Sequence, residues 1–92
     1  MSELELYRKE IDKLDRELAG LFCRRMEIVE KIACYKKSAG LPVCDPDREA
    51  SMKAELYDSF ERAELLPYYR EFLEKLLELS KAYQKESEGG EV

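Results

Sequence analysis

The chain contains no histidine. That absence removes imidazole metal ligands, a serine–histidine–aspartate triad and a cysteine–histidine pair together. Cysteine is scarce: there are three, an odd number, and Cys23 and Cys34 fall about 16 Å apart along one expected helix, too far for a bridge. Such cysteines fit a reducing cytoplasm. Cys44, in an expected loop, has no base near it in sequence and reads as a bystander thiol. No run approaches the roughly 20 apolar residues of a membrane span, and Met1-Ser2-Glu3 lacks the basic start of a signal peptide. A soluble protein without membrane association is expected. Glycine-rich phosphate loops, zinc-ligand spacings and internal repeats are missing as well. A formal net charge of −5 leaves no basic face for nucleic acid, so an anionic ligand must be gripped by a few selected cations.

What is present is helical. Ninety-two residues with 45% hydrophobic and 40% charged content suit one domain of amphipathic helices, an all-α fold. The first helix is expected from about Leu4 to Ser38, free of proline and stopped at Ala39-Gly40-Leu41-Pro42. The second opens at Asp45-Pro46-Asp47-Arg48-Glu49, where Asp45 caps free amides and Pro46 fits the first turn, and should reach about Arg62. Pro67 starts a third helix running to about Glu86. Residues 1–86 form the helical domain and 87–92 read as a disordered tail.

The pattern within these helices carries the functional argument. Leu4, Ile11, Leu14, Leu18, Leu21, Ile28, Ile32 and Tyr35 follow a three-four spacing that marks one apolar stripe. Arg25 takes a slot in that stripe, and Lys36, eleven residues on, returns to within about 20° of the same face. Glu49 lies one turn ahead of Met52, Leu56 and Phe60, and Leu73 and Leu77 continue into Ser80 and Gln84. Buried charges are costly unless paired. Polar residues on the inward faces of all three helices therefore predict a polar cavity for a small charged ligand.

A first helix of about 50 Å overhangs a domain whose compact diameter would be roughly 30 Å. Its stripe would be a liability in water and is expected to pack against the same helix of a second chain, giving an interlocked homodimer. Arg8 and Arg25 are seventeen residues apart, about 25 Å along a straight helix and turned about 100° from each other. One small dianion cannot touch both within a chain. In an antiparallel pair, Arg8 of one chain can lie beside Arg25 of the other.

Each residue also has a plainer reading. Asp45 serves as an N-cap, and Arg8 as a surface charge. Arg25 could pair with Glu49, Lys36 could extend its ammonium to water, and Ser80 and Gln84 could hydrogen-bond across the helix packing. A shared inward side explains the set better than separate coincidences.

The segments Leu6-Tyr7-Arg8-Lys9-Glu10-Ile11-Asp12-Lys13-Leu14-Asp15, Arg24-Arg25-Met26, Tyr35-Lys36-Lys37 and Leu41-Pro42-Val43-Cys44-Asp45-Pro46-Asp47-Arg48-Glu49 resemble the all-helical, AroQ-class chorismate mutases. The resemblance extends from Leu4 to about Gln84. It implies an intertwined dimer of three-helix protomers that rearranges chorismate to prephenate, on the route to phenylalanine and tyrosine, without a cofactor or a metal. Carried over by position, Arg25 and the partner chain's Arg8 bind the substrate carboxylates. Lys36 and Gln84 contact the ether oxygen, Glu49 and Asp45 hold the ring-hydroxyl end, and Arg48 and Ser80 complete the lining. Competing readings are an isochorismate pyruvate lyase of the same fold, a helical dimerisation or regulatory module, and a noncatalytic sensor of aromatic-pathway metabolites. A larger pathway enzyme as partner stays open.

Overall fold

A computed structural model describes residues 2–89. Helix α1 spans Glu3–Ala39, α2 Pro46–Asp58 and α3 Leu66–Gly89, with a single 3-10 turn at Ala63–Leu65 before α3. Among the described residues there is no strand, as the all-α reading expects. Ser2 caps α1 by accepting from the Glu5 amide at 3.2 Å; Glu3 and Glu5 lie in the first turn and Lys36 and Lys37 in the last, matching charge to the helix dipole.

Gly40 ends α1 in the left-handed region, at φ 70°. Its amide donates to the Lys37 carbonyl at 3.3 Å and that of Leu41 to the Lys36 carbonyl at 2.8 Å, the paired bonds of a Schellman turn. A Cβ at Gly40 would meet nothing within 4 Å, so only the backbone opposes a side chain there. Gly40→Ala should therefore destabilise the fold by about 1–2 kcal/mol, read as a lowered midpoint in denaturant with an unchanged slope.

The second helix is shorter than the Arg62 end expected from sequence. It stops at Asp58, where the Ser59 hydroxyl donates back to the Glu55 carbonyl at 2.9 Å and the chain reverses to stack Phe60 on Tyr69, with ring centroids 4.9 Å apart. Such a side-chain bond competes with helix continuation. Pro67 sits in the first turn of α3, the place where its missing amide costs least. At its far end α3 continues to Gly89 rather than giving way after Glu86 to the tail expected over 87–92. Residues 90–92 lie outside the described residues.

Helices α1 and α3 pack together. Val29 and Ala33 of α1 and Leu73 and Leu77 of α3 are the buried apolar residues among those described. The Tyr83 hydroxyl adds a hydrogen bond to the Glu30 carboxylate, and this bond holds the phenol above its ordinary pKa. The core face of α1 is thus not the whole stripe read from the sequence. Leu4, Ile11, Leu14, Leu18, Leu21, Ile28, Ile32 and Tyr35 all remain exposed, because α3 covers only the flank that carries Val29 and Ala33.

Helix α2 runs antiparallel to α3 and buries no residue of its own. Long side chains join the two in sequence order: Glu49 to Lys81 at 3.1 Å, Lys53 to Glu74 at 2.5 Å, Tyr57 under the Arg70 guanidinium at 4.8 Å, then Phe60 against Tyr69. The hydrogen bond to Glu74 holds the Lys53 ammonium above its ordinary pKa. The expected inward face of Met52, Leu56 and Phe60 is only partly realised, with Leu56 exposed. The protomer measures 56 × 32 × 15 Å, so it is little more than one helix thick.

Candidate active site

Residues 80 to 84 of α3 form the hub of the site. Ser80 and Gln84, one turn apart, are both buried, on the side of α3 that faces α1. Ser80 Oγ donates to the Leu76 carbonyl at 2.8 Å and accepts from Arg25 Nη1 of α1. Its proton is spoken for within the helix, so its lone pair is aimed at the guanidinium. Arg25 therefore pairs with a neutral hydroxyl rather than with Glu49, and its full charge remains available to an anion.

Lys36 stands about 16 Å further along α1. Its ammonium donates to the Val43 carbonyl at 2.8 Å and to Gln84 Oε1 at 3.4 Å. An ammonium has three protons, so one is left for a ligand. Turning the Gln84 oxygen toward Lys36 points its amide nitrogen, the donor end, the other way. The Schellman turn at Gly40 makes this possible by folding the chain back until Val43 reaches Lys36. The Val43 carbonyl is a member of the site that sequence reading missed, since a backbone acceptor leaves no residue-type signal.

Glu49, half-buried on the first turn of α2, faces Lys81. Lys81 is the second missed member, since it lies on a flank of α3 where charge is ordinary. Asp45 accepts from the Arg48 amide at 3.1 Å and so acts as the N-cap, while Arg48 is exposed on the same turn. Arg25, Lys36, Glu49, Ser80 and Gln84 are thus gathered around one stretch of α3, with Asp45 and Arg48 at its α2 border. Arg8 is not. It is exposed on α1, about 25 Å along the helix from Arg25.

The single chain does not enclose the polar cavity expected from its sequence. The cavity that Arg25 borders is a groove of about 490 Å³ walled mainly by Leu18, Leu21, Phe22, Phe72, Leu76 and Leu79. The polar groups stand at one end of this apolar groove and lack an outer wall. Among the described residues, no group of three or more histidine, cysteine, aspartate or glutamate side chains is placed to hold a metal ion, and no helix is long and apolar enough to cross a membrane. Cys23, Cys34 and Cys44 are unbridged and exposed.

A family model described as chorismate mutase type II matches residues 7–85. The chain belongs to that family. The match takes in every residue singled out above, from Arg8 to Gln84. Among curated proteins, the T-protein of Haemophilus influenzae is 46% identical over 52 residues, covering 56% of this chain and 14% of that protein. The bifunctional chorismate mutase/prephenate dehydratase of Aquifex aeolicus is 34% identical over 89 residues, covering 88% of this chain and 25% of that protein. The T-protein of Enterobacter agglomerans is 41% identical over 54 residues, covering 59% and 14% respectively. This type II chorismate mutase family chain therefore spans a quarter or less of the length of these relatives. No solved structure matches it significantly.

Proposed function

We propose that the chain converts chorismate to prephenate as a homodimer with two composite sites. The observation that carries this reading is the Lys36 ammonium donating to Gln84 Oε1 at 3.4 Å, along the same face of α3 as a guanidinium held by a neutral serine. The arrangement offers positive charge and hydrogen bonds and supplies no imidazole. A Claisen rearrangement asks for just that. It breaks a carbon–oxygen bond and forms a carbon–carbon bond in one step, and negative charge builds on the ether oxygen. The third proton of Lys36 and the amide nitrogen of Gln84 are the donors for that oxygen. Arg25, joined by Arg8 of a second copy, clamps the two carboxylates and holds the substrate in its compact reactive shape. Glu49 and Asp45 accept from the ring hydroxyl, with Arg48 and Ser80 completing the lining. The fixed charges do the work, and no cofactor is called for. A reducing cytoplasm is the setting in which three exposed thiols fit.

The surface supports the dimer. The protomer exposes 7517 Å², whereas a compact chain of 10.8 kDa would expose about 5,500 Å². The excess of about 2,000 Å² is what one chain contributes to a large obligate interface. Its radius of gyration, 16.9 Å, exceeds the roughly 12 Å of a compact domain of this length. A second copy of α1 laid on the exposed stripe would cover it and supply the wall that the site lacks.

The decisive test follows chorismate disappearance with purified protein and identifies the product. Prephenate is expected. Pyruvate released from isochorismate in its place would make the chain a lyase, and binding of a transition-state mimic without turnover would make it a sensor.

A further inference from the structure

We propose that Lys81 is a positioning residue of this site, acting through Glu49 and not on the substrate. The inference rests on the mutase reading above. Lys81 directly follows Ser80, and adjacent residues diverge by about 100° around a helix. Ser80 therefore addresses Arg25 on α1, while Lys81 leans toward α2 and meets Glu49 Oε1 at 3.1 Å, with the two side chains 36% and 25% exposed. With Asp45, Glu49 is one of two carboxylates in a site otherwise built from cations and neutral donors, and it sits on a helix with no buried residue. Nothing in the packing of α2 fixes that carboxylate. Left alone, it would be free to turn toward other cations, Lys53 one turn along α2 among them, and it would repel an incoming dianion.

Lys81 answers both problems. It engages one oxygen from the α2–α3 side and leaves the other to accept from a ligand hydroxyl. It also offsets the negative charge of Glu49. The Lys53–Glu74 pair, at 2.5 Å, repeats the contact one turn along α2 and holds the helix in the register that brings Glu49 to Lys81.

The test is a double-mutant cycle on the full chain, read as kcat/KM for chorismate. Lys81→Met is expected to lower kcat/KM about tenfold, within the range of coupled charged neighbours, with the melting temperature little changed, and Lys81→Arg to restore most of the loss. In a Glu49→Gln background, Lys81→Met should have an effect of less than about twofold, because the partner it positions is gone. Equal losses in both backgrounds would overturn the proposal and place Lys81 against the substrate itself; no loss in either would overturn it as well. Lys81→Gln removes the same charge should the methionine variant fold poorly. Absence of chorismate turnover by the unaltered chain would refute the mutase reading instead, which keeps the two failures distinct.

Discussion

Lys36→Ala is expected to abolish nearly all prephenate formation, lowering kcat by about 10³-fold, while the protein stays folded. Removal of one donor from a developing oxyanion costs about 10²–10³ in kcat in other enzymes, and Lys36 stands at the upper end of that range for two reasons. It brings a full charge, and its contact with Gln84 Oε1 at 3.4 Å sets which end of that amide faces the ligand. Its loss removes one donor and frees the other to rotate. Stability should change little, because Lys36 is only half-buried and water can replace it at the Val43 carbonyl. The defect should fall on kcat more than on KM, since the ether oxygen gathers charge only in the transition state. Steady-state kinetics with a thermal melt decide the matter: an alanine variant retaining a tenth of normal turnover would remove Lys36 from the centre of the mechanism.

How much of this was legible in the sequence differs by element. The Ser2 cap of α1 is seen only in the structure, whereas the stop of α1 was written in local chemistry, in Gly40 and Pro42, and the start of α2 in Asp45 and Pro46. The end of α2 was not, because its stop depends on Phe60 turning back onto Tyr69, a contact between residues that no local rule pairs. Periodicity identified a continuous apolar face on α1 but could not divide it. Only the packing of α3 reveals that Val29 and Ala33 belong to the core of the protomer and that Leu14, Leu18 and Ile28 lie outside it. The same division explains the site. Arg25, Lys36, Ser80 and Gln84 were visible as polar interruptions of apolar faces, whereas Lys81 lay on a flank where charge is ordinary and the Val43 carbonyl had no signature.

Mixing two inactive variants should restore about a quarter of the activity, which is the strongest expectation drawn from the distance between Arg8 and Arg25. Each guanidinium is proposed to hold one substrate carboxylate, so Arg8→Ala and Arg25→Ala should each lose about a hundredfold or more in kcat/KM. In a two-fold dimer with composite sites, one site takes Arg8 from the first chain and Arg25 from the second, and the other site takes the reverse. A heterodimer of the two variants then carries one site with both arginines intact and one with neither. Random reassociation makes about half of the dimers heterodimers, each with one good site in two, hence about one quarter of the wild-type total. Unfolding the two variants together in denaturant and refolding them exchanges the chains. If both arginines served a site within one chain, the mixture would be no more active than the average of its components. The same α1 stripe that stands exposed in the protomer, from Leu4 to Tyr35, is the surface along which the second chain must lie for complementation to occur. An aspartate at Leu18, near the middle of that stripe, should therefore abolish both dimer formation and the rescue, because an unpaired charge would be buried where the two copies of α1 meet.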